Sequence, residues 1–339
     1  MHEEKKIKIG HGSGGEMSAR LIREVFAENF DNIYLQQEGD SAILRSCSET
    51  IAFTTDSYVI SPLFFPGGDL GKLAVCGTVN DLAVAGARPK YLTAGFMLEE
   101  GLEIEILERI VKSMKREADL AHVKIVAGDT KVVGKGQLDQ IYINTSGIGL
   151  YDKNNSFKSE PPRIKNGDTI IISGIPGEHE AAIINVREKI FSESGLVSDC
   201  ACLNGIIADV LQNCKEVKFI RDITRGGTAG ILNEIAKLSN KGMEINENAI
   251  PLSEALTGFC EMLGYDPMNF ASEGKFIMIT EDRESEKVLK ILRDHNLGKK
   301  ASIIGTIKDV HPGEVVLNTS IGGQRLLSQP LGSQVPRIC

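Results

Sequence analysis

The 339-residue sequence closes on Gln334-Val335-Pro336-Arg337-Ile338-Cys339, so its last residue is a thiol. With a pKa of about 8.5, a thiol is partly ionised and nucleophilic at neutral pH, which an alcohol is not. Gly322, Gly323, Pro330, Gly332 and Pro336 lead up to it without a helical or strand period, and residues 323–339 are therefore expected to form a mobile arm. Extended chain spans about 3.3–3.6 Å per residue, so the stretch from Gln329 could carry the sulfur on the order of 30 Å, across a domain face into a cleft. A frayed tail with an accidental cysteine is the competing reading.

Four aspartates form the second set. Gly39-Asp40-Ser41 opens one β-rich piece, residues 41–45, and Thr55-Asp56-Ser57 ends another, residues 51–55. Asp81 lies late in DLGKLAVCGTVNDLAVAG, residues 69–86, whose apolar residues leave no polar face; this predicts a helix buried all round. An unpaired carboxylate in such surroundings is costly and needs a cation or several donors, so Asp81 and its neighbour Asn80 mark a metal or nucleotide site. Asp129 follows the apolar run 123–127, with Thr130 next and Lys131 two residues on. Carboxylates arriving from separate elements are what Mg²⁺ under a polyphosphate requires, because that ion takes oxygen ligands. Singly, each aspartate is more often a turn former.

Two glycine-rich stretches open helices. His11-Gly12-Ser13-Gly14-Gly15 precedes a helix with apolar face Leu21, Ile22, Val25 and Phe26, and Arg221-Asp222-Ile223-Thr224-Arg225-Gly226-Gly227 precedes one with Ile231, Leu232, Ile235 and Leu238. A bare helix N-terminus aims N–H groups at one point and suits an anion. The first departs from the dinucleotide fingerprint at Met17, and a simple turn explains either. Glu273 and Lys275, before the strand at residues 276–279, are either a surface ion pair or an acid and a base facing a cleft.

The elements that must position these groups fall into two sets. Tyr151 to Asp168 is polar, with Pro161-Pro162 and Gly167, and marks the boundary between a first domain, residues 1–155, and a second, residues 156–322. Strand and helix patterns alternate irregularly on both sides, an α+β class. The net charge of -8 and the absence of a Lys/Arg-rich block argue against nucleic acid. No apolar run reaches signal-peptide or membrane-spanning length, so a cytoplasmic protein without membrane contact is expected. Seven cysteines sit mostly in apolar segments and read as reduced core residues; Cys200-Ala201-Cys202, without a nearby His or further Cys in sequence, makes a poor zinc site.

Taken in order, HGSGG at 11–15, GDSA at 39–42, the run 54–83, AGDTKVV at 127–133, RDITRGG at 221–227, GYDP at 264–267 and the closing PRIC resemble the HypE family of nickel-iron hydrogenase maturation, within the superfamily of aminoimidazole ribonucleotide synthetase. The resemblance covers nearly the whole chain; Glu180 and Ser272 depart from it. It implies a two-domain PurM-like fold, with the first domain's sheet pairing in a homodimer. It also implies an ATP- and Mg²⁺-dependent carbamoyl dehydratase. The HypF carbamoyltransferase would load Cys339, phosphoryl transfer would activate the carboxamide oxygen, and loss of phosphate would leave a thiocyanate whose cyanide passes to a HypC–HypD complex. The residues carried over are Cys339 as acceptor, Glu273 and Lys131 for proton removal, Asp40, Asp56, Asp81 and Asp129 for the metal, and His11, Gly12, Gly14, Gly15, Asn80, Thr130, Asp222, Arg225, Gly226 and Gly227 around the nucleotide. A small-molecule kinase or amide-activating synthetase of the same superfamily is the alternative.

Overall fold

A computed structural model of the chain describes residues 6–8, 21–32, 51–151, 157, 159, 161–191, 195–224, 226–328 and 338–339. His11, Gly12, Gly14, Gly15, Asp40 and Arg225 therefore lie outside the described residues.

Alternating burial makes the first sheet. Its strands are β1 (Ile51–Tyr58), β4 (Arg88–Glu99), β5 (Lys124–Val133) and β6 (Ile141–Leu150), with the short hairpin β2 (Phe64–Phe65) and β3 (Gly68–Asp69) between the first two. Their order is β1-β6-β4-β5, with β4 and β5 parallel and the other pairs antiparallel. Helices α1 (Leu70–Val84) and α2 (Ile104–Leu120) cover one face. Asp69 caps α1 by accepting from the Lys72 N–H at 3.0 Å. All of α1 except Lys72 and Asp81 is buried, as its unbroken apolar pattern predicts. Asp81 is placed differently from the expectation, at the one edge of the helix that looks into a cleft, so its carboxylate is only partly withdrawn from water.

The second sheet has seven strands in the order β13-β12-β9-β11-β7-β10-β8. They are β7 (Thr169–Ile172), β8 (Val217–Asp222), β9 (Gly242–Asn246), β10 (Phe276–Thr280), β11 (Ser302–Lys308), β12 (Val315–Asn318) and β13 (Gln324–Leu326). Helices α3 (Glu178–Glu188), α4 (Asn204–Asn213), α5 (Gly227–Ser239), α6 (Glu254–Leu263) and α7 (Asp282–Asp294) accompany it. Ile231 and Ile235 of α5 fill one core, and Val210 of α4 with Leu292 of α7 fill another. The fold is α+β with two domains, as expected. The second sheet runs further than expected, because β13 pairs with β12 and Leu327 is buried, so residues 324–327 belong to this domain and not to a tail. Among the described residues no helix is long and apolar enough to cross a membrane.

Candidate active site

Between the two sheets lies a cleft of about 710 Å³, within the range of nucleotide-sized sites. Asp56 and Thr54 of β1, Asp81 of α1, Asp222 at the end of β8, Glu273 and Cys339 all line it. The Thr54 hydroxyl donates to the Asp81 carboxylate at 2.8 Å, tying helix to strand at the floor. Strand, helix and strand end thus deliver three aspartates to one space.

Their mutual repulsion appears in the proton affinities. Burial, then Asp81, raises Asp222 from 3.8 to about 7, against a smaller pull from Arg221. Burial, then Asp222, Asp199, Asp56 and Asp81, holds the Glu273 carboxyl well above the usual range. The donor set is hard oxygen, the ligand class that Mg²⁺ takes, and carries more negative charge than the described side chains neutralise.

Glu273 sits on a braced loop. Its N–H donates to Asp199 Oδ1 at 2.8 Å, and Asp199 Oδ2, buried without a hydrogen bond among the described residues, lies 3.7 Å from Lys275 Nζ. Lys275 therefore serves Asp199 and not Glu273. Asn80, expected at the nucleotide, instead clamps the domains together: its Nδ2 donates to the carbonyls of Ala201 at 3.0 Å and Glu273 at 3.2 Å, while its Oδ1 accepts from Leu203 N–H at 2.7 Å. With both amide ends engaged, it positions the Glu273 wall.

The last residues of the sequence are seated in the cleft. Ile338 is buried in the first domain's core, the Cys339 carbonyl accepts from Val59 N–H at 3.1 Å, and the Ile338 carbonyl meets His179 Nε2 at 2.7 Å. A carbonyl only accepts, so Nε2 carries the proton; His179 Nδ1 is then the acceptor for the Ser198 hydroxyl at 2.7 Å. Burial lowers the His179 pKa, more than the Ile338 bond raises it, and keeps this tautomer neutral.

Three expected residues are not brought here by their own chain. Strand β5 continues through Asp129, Thr130 and Lys131 because its pairing with β4 continues, at the sheet edge opposite β1, roughly three strand spacings or 14 Å away. Asp56 pairs with Thr145, which faces α1, whereas Asp129 lies in register with Gly95 and Asn144 on the opposite face. There Lys131 Nζ contacts Asp129 at 3.0 Å. Gly226 and Gly227 take left-handed φ values of 83° and 62°, and a Cβ on Gly227 would fall 2.5 Å from the Asn269 carbonyl carbon. Gly227 also donates its N–H to Thr224, so it serves the turn and packing and is not a bare anion donor. Sequence reasoning missed Asp199, His179 and Val59. Their partners lie far along the chain, and no local pattern in the sequence marks them.

The N-terminal and C-terminal domains of the AIR synthase related protein family match residues 38–151 and 165–318. The chain is 44% identical to the carbamoyl dehydratase HypE of Escherichia coli (strain K12), over 98% of this chain and 99% of that one. It superposes on a crystal structure of hydrogenase maturation protein HypE in complex with ATP with a TM-score of 0.93 and 43% identity, over 98% of this chain and 99% of that one. A crystal structure of a HypE-HypF complex matches with a TM-score of 0.80 and 46% identity, over 91% of this chain and 99% of that one.

Proposed function

The chain belongs to the HypE carbamoyl dehydratases, within the AIR synthase related family, and from that premise we propose that it uses ATP to dehydrate an S-carbamoyl group on its own Cys339 to a thiocyanate. The observation that carries this reading is the seat of Cys339 itself, held by Val59 and, through Ile338, by His179 in the cleft lined by Asp56, Asp81, Asp222 and Glu273.

The carboxamide oxygen attacks the γ-phosphorus of ATP and ADP leaves, giving an O-phosphorylated thioimidate with loss of one N–H proton. Breaking the C–O bond then expels inorganic phosphate, and loss of the second N–H proton leaves the S-bound nitrile. The net change is carboxamide plus ATP to nitrile, ADP and phosphate. Glu273 lines the cleft beside Cys339, and the crowding that raises its pKa makes it the stronger base once ionised. Asp56, Asp81 and Asp222 would hold Mg²⁺, which supplies charge neutralisation to the transferred phosphoryl group. The buried neutral His179 fixes the register of the last peptide, a positioning effect on which such transfers rely.

Asp129 and Lys131 enter this proposal through a second copy. The sheet face on which they lie, left open by the described residues, also exposes Ile51 at 51% and Phe53 at 67%, apolar area that pairing of two first domains would cover. A homodimer built on that face would let Lys131 of one copy approach the site of the other, whereas Thr130 points to the helix-covered face of its own sheet. The HypF carbamoyltransferase would load Cys339, in keeping with the solved HypE-HypF complex. A HypC–HypD complex would accept the cyanide for the iron of nickel-iron hydrogenase, in the cytoplasm. A small-molecule kinase or amide-activating synthetase would have to share its cleft with Cys339, which counts against that alternative.

Intact-mass spectrometry after incubation with the carbamoyltransferase, carbamoyl phosphate and ATP tests the reading. Cys339 is expected to gain a carbamoyl group and then lose one water only when ATP is present. Dehydration in a Cys339→Ser chain, or turnover of ATP on a free metabolite with no modification of Cys339, would overturn it.

A further inference from the structure

The fold gathers a cluster of thiols behind the wall that carries Glu273. Cys202 Sγ lies 3.3 Å from Cys76 Sγ, and the buried Cys200 thiol is close enough to Cys76 to shift its proton affinity. The Glu117 carboxylate completes the group, with donor atoms of Cys76, Cys202 and Glu117 all within 4.8 Å of one another. Cys76 comes from α1, Glu117 from α2, and Cys200 and Cys202 from the segment leading into α4. The close Cys200–Cys202 pair, a poor metal site in sequence, thus gains a third thiol and a carboxylate across the domain boundary.

We propose that Cys76, Cys202 and Glu117 bind a thiophilic divalent ion of the zinc class, leaving its fourth position open. Tetrahedral zinc with sulfur ligands at about 2.3 Å places those sulfurs roughly 3.8 Å apart, so Cys76 and Cys202 need to part by only about half an ångström. Cys76, Cys200 and Glu117 are buried, whereas Cys202 is only half-buried and gives an entry path. Glu117 is a buried carboxylate whose cation partner, Arg116, is 61% exposed, so the cluster lacks a buried positive charge. The Cys76 thiol, pulled down by Cys200, is pushed up further by Cys202 and burial; Cys200 is pushed up by Cys76 and burial. Each thiol that joins the ion releases its proton.

The ion would staple the segment around Cys202 to both helices of the first domain. That segment includes Asp199, which holds the Glu273 N–H, and Ala201, which accepts from Asn80. Metal loading therefore stiffens the wall that carries the proposed base.

The test is a Zn²⁺ titration of the reduced, chelator-stripped full chain, with retained metal counted by mass spectrometry and Co²⁺ as a spectroscopic probe. One equivalent is expected to stay bound, and Co²⁺ should develop thiolate charge-transfer absorption. Cys202→Ser, at the half-buried corner where folding is least at risk, should weaken Zn²⁺ binding at least tenfold, on the order seen when a metal shell is damaged. Asp81→Asn should leave it unchanged, because that carboxylate belongs to the cleft. Equal zinc retention by wild type and Cys202→Ser, or loss in Asp81→Asn alone, overturns the proposal. So does a Cys76–Cys202 disulfide, seen as a mass lower by two hydrogens, if it persists in reductant and excludes Zn²⁺. The cleft's proposed reaction can fail while this site stands, since zinc retention is read without ATP.

Discussion

His179 Nε2 donates to the carbonyl of Ile338 at 2.7 Å, one residue before Cys339, while the same ring packs edge-on against Phe65 at 5.5 Å. A neutral, buried imidazole thus reads the backbone of the residue that precedes the thiol. His179→Phe keeps the ring and removes the donor, leaving the Ile338 carbonyl buried without a partner. That costs about 1–3 kcal/mol of seating free energy, or roughly 5- to 150-fold in the docked population. Alkylation of Cys339 should speed up by a comparable factor while ATP binding is retained. An unchanged alkylation rate would remove His179 from the seating of the chain end.

Asp222 makes stability depend on pH. In the folded chain it keeps its proton up to about pH 7, against an ordinary value of 3.8. The folded state therefore holds the extra proton between those values, so its stability is complete below about pH 4 and is lost as pH rises through 7, by up to about 4 kcal/mol. Asp222→Asn removes this loss. The variant should melt above wild type at pH 8, match it near pH 4, and no longer turn over ATP. Parallel melting curves for the two proteins across that range would contradict the assignment.

The sheet faces dictate a complementation experiment. Lys131 and Glu273 lie on different faces of one chain, so Lys131→Ala and Glu273→Gln should each be inactive. Mixed and re-equilibrated, they should regain about a quarter of wild-type dehydration, because in the proposed homodimer half the pairs would be mixed and each would rebuild one of its two sites. No regain would leave Lys131 without a role across the dimer.

Lys218 and Asp168 form a buried pair at 2.8 Å, each side chain 5% exposed, with Lys165 N–H also donating to Asp168. Lys218→Met strands the carboxylate away from water and should cost about 3–5 kcal/mol in chemical denaturation. ATP affinity should be spared, since neither residue lines the cleft. A loss below about 1 kcal/mol would place the pair among surface-like bridges.

The parts of the site legible in the sequence were those whose signal is local. The all-apolar run of α1 announced a buried helix, and the cost of a carboxylate within it singled out Asp81, although the sequence read it as buried and not at a cleft edge. The start of α5 after Gly226-Gly227 was equally plain, since only glycine suits two successive left-handed positions. What stayed hidden depends on distant partners. β5 reads as ending before Asp129, yet β4 carries the pairing on through Val133. Asn80 reads as a polar residue needing partners, but that these are the backbones of Ala201, Leu203 and Glu273 follows only once two domains close on each other. His179 lies 159 positions from the carbonyl it holds.

A reactant carried on Cys339 never has to be captured from solution. Confinement of this kind substitutes for effective concentrations as high as about 10⁵–10⁸ M. In the proposed reaction the chain is a stoichiometric vessel that makes one product per loading, and its turnover would be set by how often a donor refills the sulfur and an acceptor empties it.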